Sequence, residues 1–115
     1  MDTDLKLRTK QYALRVIQMY AKLPKSDMVA QVIGKQVLRS ATSVGANYRE
    51  ASRARSKAEF AAKVGDSLKE IEESAYWLEL LVDSGRVRPA KMASLLDETS
   101  QLTAILTTIE KKSKQ

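Results

Sequence analysis

Cysteine and histidine are both missing from this chain of 115 residues. Without cysteine there is no disulfide, no thiol nucleophile and no thiolate metal ligand. Without histidine the chain lacks the side chain most often used for proton transfer near neutral pH, and the two commonest zinc ligands are gone together. The expectation is a protein with no metal, no cofactor and no enzymatic activity. Aromatics make up 5% of residues, so a core must be built mainly from Leu, Ile, Val and Ala. No run of 18 or more apolar residues occurs, and the N-terminal MDTDLKLRTK lacks the apolar centre of a signal peptide. The expected setting is the cytoplasm, with no membrane partner.

What is present is charge, unevenly placed. The net charge is +6, which favours anionic partners such as RNA or DNA. Residues 35–63 carry Lys35, Arg39, Arg49, Arg53, Arg55, Lys57 and Lys63 against Glu50 and Glu59. Residues 66–84 reverse the balance, with Asp66, Glu70, Glu72, Glu73, Glu79 and Asp83 against Lys69 alone. A surface divided in this way can attract copies of itself as well as nucleic acid.

Apolar periodicity predicts four helices, at about 4–22, 27–53, 57–83 and 89–112. The first is striped by Leu5, Tyr12, Val16, Met19 and Leu23, with Ala13, Ile17 and Tyr20 beside them, and Pro24 stops it. Ser26 suits the N-cap of the second, with Asp27 favoured by the helix dipole. Ser56 followed by Glu59 reads as a capping box that starts the third. Gly85 is a stop, and Pro89 fits the first turn of the fourth. Short connectors make sequential helices antiparallel, so the expected fold is an all-α, up-down-up-down four-helix bundle in a single domain. Fusion of the second and third helices into one is the alternative.

RSATSVGANYREASRARSK, residues 39–57, departs from the rhythm of large apolar residues. Ser40, Ser43 and Asn47 occupy a seam where Leu or Ile would be usual. If the second and third helices fold back at Ser56, facing residue numbers sum to roughly 111, and Ser40, Ser43 or Asn47 can hydrogen-bond the Glu70 carboxylate. Gly45 inside a helix implies a close approach by a neighbouring helix or subunit. The seam reads as structural. Glu70 and Glu73 do not form a bundle di-metal site, because the histidines such centres use are absent. Tyr76, Trp77 and Leu80 give the third helix more than one apolar face, which favours a homo-oligomer. The cluster Arg49, Arg53, Arg55 and Lys57, with Lys63 and the basic tail, is the candidate phosphate-contacting surface. No aromatic is interleaved to stack bases.

RSATSVGANYREA together with KAEFAAKVGDSLKEIEESAYWLELL resembles the four-helix-bundle proteins encoded in intervening sequences of bacterial 23S rRNA genes. These are related to accessory proteins of diversity-generating retroelements. The matching positions are Arg39, Ser40, Ser43, Asn47, Glu50, Phe60, Ser67, Glu70, Glu73 and Leu78, and their family role is structural. The resemblance implies a homopentamer with a basic surface that binds nucleic acid. A protein scaffold, with a partner such as a reverse transcriptase, is the competing reading.

Overall fold

The computed structural model of the protein describes residues 2–115, with side chains from Leu5 onward. It holds four α-helices, α1 (Asp2–Ala21), α2 (Met28–Ala51), α3 (Lys57–Asp83) and α4 (Pro89–Ser113), and no strand among the described residues. They form a rod of 47 × 20 × 19 Å, a length set by helices of 24 to 27 residues at about 1.5 Å per residue. Each helix runs antiparallel to the next. Ser67 meets Val44 and Ser40 meets Ser74 across α2 and α3, Tyr20 meets Gln31 across α1 and α2, and Lys57 meets Gln115 across α3 and α4. The facing residues of α2 and α3 sum to 111 and 114, close to the register expected of a fold-back at Ser56.

The helix ends follow local chemistry. The fusion of α2 and α3 does not occur: α2 ends at Ala51, and Ser56 caps α3 by accepting from the Glu59 N–H at 3.0 Å. The Glu59 carboxylate accepts in return from the Arg55 N–H at 2.9 Å, one residue earlier than a simple capping box would place it. Asp27, and not Ser26, is the N-cap of α2, because its Oδ1 reaches the Ala30 N–H at 3.2 Å. Gly85 closes α3 at φ +82. Its N–H bonds the Val82 carbonyl and the Arg86 N–H bonds that of Leu81, the paired bonds of a Schellman stop that glycine adopts without steric cost.

The core runs the length of the rod. Leu5, Tyr12, Val16 and Leu23 enter it from α1, Val37, Val44 and Tyr48 from α2, Val64, Ile71, Leu78 and Leu81 from α3, and Met92, Leu102 and Leu106 from α4. Ile17, expected beside the core, is instead exposed. The extra apolar face expected on α3 is small. Among the described residues Tyr76 is its one exposed large hydrophobic, set edge-on to Trp77 with ring centroids 5.2 Å apart, while Leu80 is half-buried. Exposed apolar side chains gather on α1 (Leu7, Leu14, Ile17) and on the start of α2 (Met28, Val29, Val32).

Candidate nucleic-acid interface

The odd segment of α2 lies in two environments. Its first part turns Ser40, Ala41 and Val44 into the core, and its serine, threonine and asparagine side chains are all hydrogen-bonded. Ser40 is fully buried, with its hydroxyl 2.8 Å from that of Ser74. Ser74 also donates to the Glu70 carbonyl at 2.8 Å. The Tyr12 hydroxyl lies 2.7 Å from the Thr99 hydroxyl, and Thr99 donates to the Leu95 carbonyl. Two hydroxyl pairs, Ser40 with Ser74 across α2 and α3 and Tyr12 with Thr99 across α1 and α4, thus form a polar layer in the bundle, one hydroxyl from each helix. No described buried side-chain polar atom is left without a partner, as the cost of an unpaired buried group requires. Burial, the largest influence, pushes the Tyr12 phenol up to about 12, against partial relief from Thr99 and Ser74.

Below this layer the helices approach closely. Ser67 donates to the Val44 carbonyl at 2.7 Å, so a side chain of α3 touches the backbone of α2. A Cβ on Gly45 would sit 3.1 Å from the Thr9 Oγ1. The neighbour implied by that glycine is therefore α1, at a spacing a larger residue would crowd.

The Glu70 carboxylate is not held by the serines. Ser43 bonds the Arg39 carbonyl and Asn47 bonds the Ser43 carbonyl, both within α2, while Ser40 turns to Ser74. Glu70 instead faces outward to Arg39 at 3.4 Å, and Glu73 is paired with the same guanidinium. Glu73 also accepts from the Trp77 indole at 2.9 Å. A long flexible cation reaches a half-buried carboxylate at the seam's edge more readily than a short buried hydroxyl can. On the other side of the bundle Arg8 forks onto Glu98 at 2.7 and 2.8 Å, and this hydrogen bonding holds the Glu98 carboxyl below its usual value.

The second part of the segment is the tip. Arg49, Arg53, Arg55 and Lys57 are all exposed. No ion pair neutralises any of the four among the described residues. The Lys57 ammonium donates to the Gln115 carbonyl at 2.9 Å, bringing the end of α4 to the same tip. Lys111 and Lys112 therefore join the arginines, with Lys114 shared with Glu110 at 3.6 Å. Lys63 departs from the group: it pairs with Glu50 at 2.7 Å, and that hydrogen bond raises its pKa. Arg49, Arg53 and Arg55, without an ion pair among the described residues, and Lys57, held to Gln115, are joined by the tail lysines and can contact several phosphates at once.

Sequence reasoning found the seam and the tip but missed one of the two hydroxyl pairs, Tyr12 with Thr99. The signal for Thr99 was its place in the α4 stripe, between Leu95 and Leu102 at steps of 4 and 3. Tyr12 read simply as a core aromatic.

The fold and this pairing of a locked polar core with a cationic tip define a small basic helical bundle. The chain belongs to the 23S rRNA-intervening sequence protein family, whose model matches residues 1–108. It is also similar to a crystal structure of a protein with unknown function from the S23 ribosomal protein family of Bacteroides thetaiotaomicron. That likeness has a TM-score of 0.88 at 35% identity and covers 96% of this chain and 97% of that one. No curated protein matches the chain significantly. No helix among the described residues is long and apolar enough to cross a membrane.

Proposed function

We propose that the protein is a cytoplasmic, non-enzymatic, homo-oligomeric bundle that binds RNA or DNA without sequence preference, using Arg49, Arg53, Arg55 and Lys57 against phosphates. The observation that carries this reading is that these four cations are exposed, lack side-chain carboxylate partners among the described residues, and share their tip with Lys111 and Lys112. Contacts of this kind release condensed counterions, so affinity falls steeply with salt. Lys63 contributes least, because Glu50 already neutralises it.

The oligomer is the homopentamer implied by the family resemblance. Its support is the exposed apolar group Leu7, Leu14, Ile17, Met28, Val29 and Val32, a surface a monomer gains nothing by showing to water. A second reading, a protein-binding scaffold of the retroelement-accessory kind, rests on exposed Tyr76 with Glu72, Glu79 and Asp83 along α3.

The test is a titration with mixed RNA and mixed DNA at several salt concentrations, with absolute mass measured on the same sample. Changing Arg49, Arg53, Arg55 and Lys57 together to Ala is expected to reduce the log–log salt slope by about 0.7 to 0.9 per lost contact. An unchanged slope sinks the assignment of these residues. Absence of binding at physiological salt favours the scaffold, and a mass of 12.8 kDa overturns the oligomer.

A further inference from the structure

At the end of the rod opposite the arginine turn, α1 finishes, α4 begins and the α3–α4 connection passes between them. These pieces wall a cleft of about 560 Å³, within the span of roughly 300–1,000 Å³ usual for small-molecule sites. Its rim is cationic, formed by Arg15, Lys22, Arg86, Arg88 and Lys91, and no carboxylate lines it among the described residues. Arg86 is tied to Asp27 at 3.2 Å, and Arg15 reaches only the neutral Ser94 hydroxyl, at 2.8 Å. Glu98, whose carboxylate feels the Arg15 charge, is committed to the Arg8 fork. Among the described residues Lys22, Arg88 and Lys91 make no ion pair.

The floor is different in kind. Met19, Leu23, Val87 and Leu95 form it, with Leu23 and Leu95 buried. Gln18 and Ser94 lie on the walls. A ligand that satisfies this cleft needs two parts. One is an anion that relieves the mutual repulsion of the rim and accepts several N–H bonds, as a phosphate does. The other is a ring system that covers the apolar floor while its polar edge meets Gln18 and Ser94. Phosphate alone would leave the floor bare, and an aliphatic anion would leave the Gln18 amide without a partner in the cleft. The first turn of α4 adds to the same polarity, since Arg88 at its N-cap makes no side-chain capping bond.

We propose that this cleft is a nucleotide site, with phosphate on the cationic rim and the base on the apolar floor. The nucleotide is either free or the 5′-phosphorylated terminus of a strand. This site is separate from the tip and does not depend on it.

Calorimetric titration of the full chain with ADP, inorganic phosphate, and an oligonucleotide bearing a 5′-phosphate or a 5′-hydroxyl tests the proposal. Saturable binding of ADP or of the 5′-phosphorylated strand is expected, with inorganic phosphate at least about tenfold weaker. ADP binding identifies a free nucleotide as the source. Binding of the phosphorylated strand alone, with preference over the 5′-hydroxyl strand, identifies a terminus. Arg88→Ala with Lys91→Ala, two exposed residues whose side chains hold no partner among the described residues, should weaken the bound species by about tenfold or more with thermal unfolding unchanged. Arg53→Ala with Arg55→Ala at the other end should leave ADP affinity unchanged. The proposal is overturned if neither nucleotide species binds, if inorganic phosphate binds equally well, or if the Arg88/Lys91 variant binds like the parent. Binding to anionic phosphatidylglycerol vesicles without nucleotide binding overturns it too.

Discussion

Two regions that grow out of the same stretch of α2 show how polarity is used differently inside and outside a bundle. Around Ser40 the helix buries a hydroxyl, and the fold answers with Ser74, Tyr12 and Thr99 so that each group has a partner. Around Arg49 to Lys57 the chain exposes cations, and none of them pairs with a side-chain carboxylate among the described residues. A buried polar group that lacks a partner costs about 1–3 kcal/mol, whereas an exposed cation is already satisfied by water. The interior region is therefore fully determined by its neighbours, and the exterior one is left available for a partner.

The comparison breaks most sharply at the interior. Ser40→Leu forces a large side chain into the layer where α2 meets α3, and overpacking typically costs about 1–3 kcal/mol. A loss near the upper figure is expected in chemical denaturation. A variant as stable as the parent would mean the seam is loosely packed. A milder change, Tyr12→Phe, removes the hydroxyl that pairs α1 with Thr99 of α4 and should cost about 1 kcal/mol.

Tyr12 also carries a pH signature. Its phenol has an ordinary pKa of 10.0 and is raised to about 12 in the fold. Between these values the unfolded chain loses its proton first, so the folded state binds more protons and stability falls as pH rises. The contribution is intact below 10 and is lost as pH climbs towards 12. Denaturation across this window should show a smaller alkaline decline for Tyr12→Phe than for the parent, and equal declines would remove Tyr12 as the cause.

The smallest effect on stability is expected at the tip. Changing Arg49, Arg53, Arg55 and Lys57 together to Ala should alter unfolding by less than about 0.5 kcal/mol per site, while the same variant loses salt-dependent nucleic-acid affinity. A large destabilisation would make the tip structural and erase its contrast with the seam.

Much of the architecture was legible because it repeats locally. The stripe Val64, Leu68, Ile71, Leu78 has the spacing of one helix face, and all four are buried. Ser56, Gly85 and Pro89 act within a few residues of their own positions, so the breaks they signal needed no knowledge of the fold. The seam was legible as small and polar residues of α2 set opposite Glu70 on α3. Its hydrogen-bond partners were not, since a hydroxyl on α2 can choose among several acceptors and only the rotation of each helix selects one. Glu70 illustrates the point. Its register opposite Ala41 was readable, but its turn towards Arg39 depends on which side of α3 meets water.

The sequence by itself determined the four helices, their antiparallel order and the concentration of cations at the α2–α3 turn, because periodicity, capping and short connectors act over a few residues. Tertiary structure alone decided that hydroxyls from all four helices meet in one layer and that Lys57 brings the C-terminal lysines to the arginine tip. It also decided that Arg15, Lys22 and Arg88, far apart in the chain, line one cleft. These outcomes depend on how each helix is rotated and which ends are set side by side. Rotation is fixed by the packing of the whole core, and no single segment contains that information.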